Sequence, residues 1–205
     1  MSKKLRTIIV EDEELARNLL KSFLKSAENI ELIAECENGF EGVKMIKELN
    51  PDLVFLDIQM PKITGFEMLE LLDHKPQIIF ATAYDQYALK AFEYNAADYL
   101  LKPYSKERLL EAIDKVAERI QTEGKESKVA EKIANYPREE YLDRVVVKDR
   151  HKIRVIPVDE IRYIDSMDDY VMIYTKDGRH MKQKTMKYFE SALNPKDYVR
   201  IHRSH

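Results

Sequence analysis

Three carboxylates, one hydroxyl and one ammonium stand directly behind four short apolar runs of this sequence. Leu5–Val10 runs into Glu11-Asp12, Leu53–Leu56 into Asp57, Ile78–Ala81 into Thr82, and Tyr99–Leu101 into Lys102-Pro103. Gathered in one partly desolvated crevice, the carboxylates would repel one another strongly. A hard divalent cation relieves that repulsion, and Mg²⁺ takes oxygen ligands while keeping several waters. Asp12, Asp57, a backbone carbonyl near Gln59 and waters would suffice, with Glu11 acting through water. Such a metal can polarise a phosphoryl oxygen and stabilise charge at an attacking carboxylate. Asp57 is then the natural nucleophile for an aspartyl phosphate. Lys102 would pair with Asp57 before transfer and with the phosphoryl group afterwards, and Thr82 would hydrogen-bond a phosphoryl oxygen. Singly, each residue has an ordinary explanation as a turn acid, a strand terminator or a β-branched strand residue. The chemistry is carried by all four strand ends together.

The elements that must position these residues alternate strand with helix. Leu5–Val10, Ile30–Ala34, Leu53–Leu56, Ile78–Ala81 and Tyr99–Leu101 are short apolar runs bounded by polar residues, as expected of parallel strands buried on both faces. Between them, apolar residues recur at one-turn spacing: Leu15, Leu19, Leu20, Phe23 and Leu24; Val43, Ile46 and Leu49; Met68, Leu69 and Leu72; Leu89 and Phe92; and, after the fifth run, Leu109, Leu110, Ile113, Val116 and Ile120. Ser105 is the expected N-cap of that last helix. Five such units predict an α/β domain, a doubly wound five-stranded parallel sheet with right-handed crossovers and its site beyond the carboxyl ends of the strands.

Composition narrows the function classes. The chain has 205 residues, 44% apolar and 35% charged, with one cysteine, Cys36. A lone cysteine excludes a disulfide scaffold and a zinc ribbon and fits a reducing, cytoplasmic compartment. No apolar run reaches the ~18–20 residues of a membrane span, and the N-terminus enters a strand pattern without a secretory core, so no membrane association is expected. The net charge of -3 conceals two unlike halves. Residues 1–120 carry 16 basic and 22 acidic side chains, whereas residues 121–205 carry 18 and 15, with 8 against 3 over residues 176–205. An acidic half joined to a basic half points to two domains with different partners, the second toward a polyanion.

Val10-Glu11-Asp12-Glu13, Phe55-Leu56-Asp57-Ile58-Gln59-Met60-Pro61, Gly65, Ala81-Thr82-Ala83 and Tyr99-Leu100-Leu101-Lys102-Pro103 closely resemble the receiver domain of bacterial two-component response regulators. The resemblance covers residues 5 to about 121. It implies a CheY-like fold and phosphoryl transfer from a partner histidine kinase to Asp57. It also implies Glu11 and Asp12 at the metal site, Thr82 and Lys102 in phosphate sensing, and Tyr99 as an aromatic switch. Many receivers have Asp where this chain has Glu11, and the longer arm suits a water-mediated contact. A phosphoryl group adds roughly 1.5–2 negative charges and three acceptor oxygens. If Thr82 moves toward it, Tyr99 can turn inward and remodel the face formed by the fourth helix, fifth strand and fifth helix, promoting a homodimer.

The second half reads as β-rich. Arg144–Lys148 and Ile153–Ile156 form an expected hairpin; Ile161–Ile164, Tyr170–Tyr174 and Arg179–Lys184 are expected strands, with a tight turn at Asp177-Gly178. Thr185–Leu193 reads as a short helix, and Tyr198–His202 as a return to strand. Val158–Ile164, Asp169–Ile173, Met186–Leu193 and especially Val199-Arg200-Ile201-His202-Arg203-Ser204 resemble the LytTR (LytR/AlgR) DNA-binding domain. That resemblance implies a β-fold whose loops reach into DNA grooves. It makes Arg203, Asp169 and Tyr170 candidate base contacts, and charge makes Lys182, Lys184 and Lys187 candidate phosphate contacts. From Tyr141 the domain has 65 residues and stops in mid-strand by the family's pattern, so it is expected to be incomplete.

The expected organisation is a receiver over 1–121, a linker over 122–140 and the LytTR-type domain over 141–205. The expected function is a phosphorylation-switched transcription regulator. A second reading keeps the receiver as a signalling module or phosphate sink acting through proteins alone. A third, an Asp-nucleophile phosphatase, wants a second Asp two residues beyond the nucleophile, where this chain has Gln59. No Ser-His-Asp elbow, His pair or phosphate loop supports a catalytic output, so the chain is not expected to be an enzyme.

Overall fold

A computed structural model of the chain describes residues 4–122, 141–149, 152–167 and 169–201. The chain divides into two compact units, Met1–Ala134 and Asn135–His205. Apart from Thr122, the last residue of its helix, the expected linker over 122–140 lies outside the described residues, as does Arg203.

In the first unit the strands are Leu5–Val10 (β1), Ile30–Cys36 (β2), Leu53–Leu56 (β3), Gln77–Thr82 (β4) and Asp98–Leu101 (β5). The helices are Glu14–Leu24 (α1), Gly39–Leu49 (α2), Gly65–Leu69 (α3), Ala88–Glu93 (α4) and Lys106–Thr122 (α5). All five strands pair in parallel, in the order β2-β1-β3-β4-β5. That is the doubly wound sheet expected from the apolar runs. It brings the carboxyl ends of β1, β3, β4 and β5 side by side.

Each strand contributes to the core on both faces. Ile9, Phe55, Ile79 and Leu100 pack with Leu20 and Leu24 of α1 and with Leu109, Ala112, Ile113 and Val116 of α5. The intervening Ile8, Val10, Val54, Leu56, Ile78 and Phe80 are equally buried. Caps fix where the helices begin. The Asn38 side chain accepts from Glu41 N ahead of α2, Thr64 and Glu67 form a reciprocal capping box at α3, and Ser105 Oγ accepts from Arg108 N at 3.2 Å. The apolar repeat of α1 is wider than the stripe that the sheet covers. Leu15 is 76% and Leu19 47% exposed, and Arg17 is the buried residue between them.

Asp98 fastens β5 to α5. Arg108 donates to both its oxygens at 2.7 and 2.8 Å, and Lys115 Nζ lies 2.9 Å away. Burial alone would raise the Asp98 pKa, but these hydrogen bonds outweigh it and hold it at about 2. A depressed carboxylate pKa stabilises the fold above the unfolded value and loses that contribution as the pH falls toward the folded one. Asp98→Asn should therefore destabilise the unit by about 1 kcal/mol at pH 7, after discounting for the partly exposed cations. In urea denaturation the gap between the two proteins should close as the pH falls from 4 toward 2, and a gap that persists there would refute the electrostatic origin.

The second unit holds a hairpin, Arg144–Asp149 (β6) with Lys152–Pro157 (β7), and a three-stranded antiparallel sheet of Tyr163–Met167 (β8), Tyr170–Thr175 (β9) and Gly178–Lys182 (β10) in the order β10-β9-β8. Gly178 has φ 141°, which suits glycine at the β9–β10 turn. Met186–Ala192 (α6), capped by Thr185, places Phe189 against Val145, Val147, Ile164, Val171 and Ile173. One expectation fails. Tyr198–Ile201, the described part of the expected last strand, pairs with no strand among the described residues; Val199 is 81% and Ile201 79% exposed. Alternating apolar residues make a strand only where a ladder partner receives their backbone groups. Among the described residues, no helix is long and apolar enough to cross a membrane.

Candidate functional site

The backbone fixes the crevice before any side chain is considered. Asp57 N donates to Val10 O at 2.9 Å and Lys102 N to Thr82 O at 2.7 Å, so adjacent strand ends are tied where the functional residues leave them. The side chains converge accordingly. Lys102 Nζ lies 2.5 Å from Glu11 Oε2 and 3.1 Å from Asp57 Oδ2. One carboxylate oxygen from each of Glu11, Asp12 and Asp57 falls within a set whose members are all within 4.8 Å of one another. Glu11 and Asp57 are buried, whereas Asp12 is exposed at the mouth. Asp57 Oδ1 also accepts from Ile58 N at 2.6 Å.

Charge is out of balance here. Three carboxylates face one ammonium, two of them out of water. Burial, with the Asp57 charge adding to it, pushes the Glu11 pKa up to about 7 against the pull of Lys102. Burial works against the Lys102 ammonium, but its hydrogen bond to Glu11 and the charge of Asp57 prevail and hold its pKa above the ordinary lysine value. A cluster of hard oxygen donors that resists holding its own negative charge fits a divalent cation such as Mg²⁺.

Thr82 is fully buried, and its Oγ1 has no hydrogen-bond partner among the described residues. A hydroxyl left unmatched at a strand end is costly unless a further acceptor arrives. Tyr99 is half-buried on β5, its ring 6.2 Å from Phe80 and its hydroxyl donating to Tyr84 O. Burial, then the charges of Asp85 and Asp57, push its pKa up to about 12. Gln59 spends its side chain elsewhere than on the carboxylates, with Nε2 donating to Tyr87 Oη at 3.0 Å.

Sequence reasoning missed one support of this site and one half-buried neighbour of it. Arg17, buried on α1, donates to Glu11 O at 2.7 Å and Asp12 O at 3.1 Å and pairs with Glu37 at 2.9 Å. It clamps the acidic turn by its carbonyls. Its only signal was a basic residue five beyond Asp12, inside an apolar repeat. Tyr104 sits two residues beyond Lys102, and burial with the Glu11 and Asp57 charges pushes its pKa up to about 12.

In the second unit Asp169 and Tyr170 are exposed at the start of β9. Lys184 is half-buried, its Nζ 4.6 Å from the Tyr188 ring, and Lys187 is exposed. Lys182 corrects an expectation. Its side chain points inward, and Nζ donates to Val146 O at 2.7 Å in a buried hydrogen bond. Period-two alternation along β10 puts Lys182 on the same inner face as buried His180. The ammonium serves to join β10 to β6 and is not presented to a polyanion.

Comparisons with known proteins agree with this geometry. Residues 7–114 match the response regulator receiver domain family, and residues 151–205 match the LytTr DNA-binding domain family. The transcriptional regulatory protein BtsR of Escherichia coli is 35% identical over 204 residues, 98% of this chain and 81% of that one. The sensory transduction protein LytT of Bacillus anthracis is 34% identical over 203 residues, with the same coverage. Among solved structures, the response regulatory domain of mrkE from Klebsiella pneumoniae is 32% identical with a TM-score of 0.53, covering 57% of this chain and 98% of that one. A CheX–CheY complex with BeF3 and Mg²⁺ from Borrelia burgdorferi is 25% identical with a TM-score of 0.52, covering 56% and 90%.

Proposed function

Because this chain belongs to the two-component response regulators that join a receiver domain to a LytTR DNA-binding domain, we propose that Asp57 is its phosphoryl acceptor and that phosphorylation there controls dimerisation and DNA binding. The observation that carries this is the convergence of Lys102 Nζ on Glu11 and Asp57 beside a buried Thr82 hydroxyl that has no partner among the described residues. A sensor histidine kinase in the cytoplasm supplies the group as a phosphohistidine. An Asp57 oxygen attacks phosphorus, the O–P bond forms as the N–P bond breaks, and the imidazole leaves with the electron pair. Glu11, Asp12, Asp57 and the Gln59 carbonyl would hold Mg²⁺, which when bound neutralises charge on the acceptor and the transferred group.

The chain's own residues then respond. Lys102 shifts from the carboxylates to a phosphoryl oxygen, keeping a charge-assisted bond. Thr82 donates its idle hydroxyl to a second oxygen. That draws the β4–α4 loop inward and changes the space open to Tyr99, whose ring rests on Phe80 of the neighbouring strand β4. Leu89 of α4 and Leu101 of β5 are both exposed, and they supply an apolar contact for a homodimer on that face.

In the second unit, Asp169, Tyr170, Lys184 and Arg203 are proposed to face DNA. Gel-shift assays of the full-length protein with a promoter fragment test this. Phosphorylated protein should bind more tightly than unphosphorylated protein, and raising the salt from 50 to 200 mM should weaken binding by at least about tenfold through counterion release. An absent or salt-insensitive shift would leave the receiver acting through proteins alone.

A further inference from the structure

The Asp12 carboxylate stands exposed at the rim of the crevice and has no hydrogen bond among the described residues. Glu11 differs: its side chain accepts from Lys102 Nζ at 2.5 Å and from Glu13 N at 3.3 Å. What aims Asp12 is its backbone, and Arg17 holds that backbone. One guanidinium nitrogen, Nη1, bridges Glu11 O at 2.7 Å and Asp12 O at 3.1 Å. The other, Nη2, donates to Glu37 Oε1 at 2.9 Å. Glu37 opens the loop between β2 and α2, and that loop is itself anchored. Glu37 N donates to Glu41 Oε2 at 2.9 Å, and the Asn38 side chain accepts from Glu41 N at 3.0 Å. Glu11 N, for its part, donates to Cys36 O at 3.0 Å. The guanidinium is thus braced between the turn after β1 and the turn after β2. Its own side chain is 9% exposed, whereas that of Glu37 is 71% exposed. A planar fork can serve these three acceptors at once; a lysine ammonium, a point charge on a flexible stem, cannot reproduce that geometry.

From this we propose that Arg17 and Glu37 form a positioning pair for the divalent cation, fixing the peptide planes of Glu11 and Asp12 so that the Asp12 carboxylate is aimed before the ion arrives. The inference rests on the reading of Glu11, Asp12 and Asp57 as the Mg²⁺ site. Both residues act through the backbone of the acidic turn and take no part as ligands. Partners that orient a metal ligand raise affinity because the ligand need not be ordered at the moment of binding. Once the ion is bound, the turn is ordered whether or not the pair is present. The signature of the pair is therefore a loss of Mg²⁺ affinity with the labelling rate at saturating Mg²⁺ retained.

Titration calorimetry of the full chain with Mg²⁺ alone measures the affinity, and labelling by acetyl phosphate across a Mg²⁺ series separates affinity from maximal rate. Arg17→Lys keeps the charge and loses the fork. It should weaken Mg²⁺ binding about tenfold, the lower end for a lost partner of a metal ligand, and move half-maximal labelling to correspondingly higher Mg²⁺. Glu37→Ala alters an exposed side chain and spares the Glu37 N bond, so it keeps the test open if Arg17→Lys does not fold. It should weaken binding about three- to tenfold, the factor expected for one hydrogen bond of ordinary net strength. Arg6 supplies a matched control at the other end of the sheet, where its Nη1 bridges Leu49 O at 2.6 Å and Asn50 O at 3.2 Å. Arg6→Lys should leave the Mg²⁺ affinity unchanged. Wild-type affinity in folded Arg17→Lys or in Glu37→Ala, a reduced maximal rate with affinity unchanged, or a comparable loss in Arg6→Lys would each overturn the pair while leaving Asp57 as acceptor. A wild-type chain that binds no Mg²⁺ would overturn the metal site and the pair with it.

Discussion

Asp57→Asn should take up no label from acetyl phosphate in Mg²⁺, while remaining folded. Asparagine keeps the shape of the side chain and an oxygen able to accept from Ile58 N, now 2.6 Å from Asp57 Oδ1. It loses the negative charge that faces Lys102 at 3.1 Å and, with it, the nucleophile. The neighbouring carboxylates are poor substitutes. Glu11 is already bound by Lys102 at 2.5 Å, with burial raising its pKa, and Asp12 stands exposed at the rim. Removing one of three clustered negative charges relieves repulsion, so the variant should be at least as stable as the parent in urea. Retained label, with the fold intact by circular dichroism, would move the acceptor elsewhere.

The second large effect is on the fold beneath the site. A Cβ added at Gly65 would lie 2.3 Å from Asp57 O, 3.1 Å from Leu56 Cγ and 3.2 Å from Ile58 Cα. The first of these is main chain, and Gly65 N is itself bound to Ile58 O at 2.8 Å, so neither side can yield cheaply. Gly65→Ala should cost about 2–3 kcal/mol of stability in urea denaturation, the upper range for overpacking, and should slow labelling of Asp57 because the clash displaces that residue's own peptide. Gly42 gives a contrast. There the tightest contact is Met68 Sδ at 2.8 Å, a flexible side chain that can rotate away, so alanine should be tolerated better. A loss within about 0.5 kcal/mol at Gly65, the range of ordinary surface changes, would show that the β3–α3 loop is more pliant than this close approach implies.

How much of this was legible in the sequence depends on what each residue's signal reports. The strand runs were readable because parallel strands buried on both faces leave no polar interruption, and the site residues followed from where each run stops. The inward burial of Lys182 was not readable, since a lysine in an alternating strand carries no mark of which face it takes, and its acceptor, Val146 O, is 36 residues away. Leu15 and Leu19 misled in the opposite sense, because apolar spacing reports that a stripe exists but not how wide a stripe the sheet can cover. The contacts of Arg17 and Tyr87 were invisible for a shared reason. Arg17 acts on carbonyls, which every residue possesses, and Tyr87 meets a side chain 28 residues distant through a hydroxyl that looks like any other tyrosine's.

The ion pair between Lys102 and Glu11 joins residues 91 positions apart, and β5, which ends just before Lys102, is the last strand of its sheet and lies at its edge. A chain emerging from the ribosome thus presents its buried acids well before the ammonium that compensates them. Until β5 docks on β4, the pocket has neither its cation nor a complete wall. Long-range pairing of this kind is also the slow part of assembly. On the assignment of Asp57 as acceptor, phosphoryl uptake should therefore require a sheet closed through its final strand, which carries Lys102 to the acids.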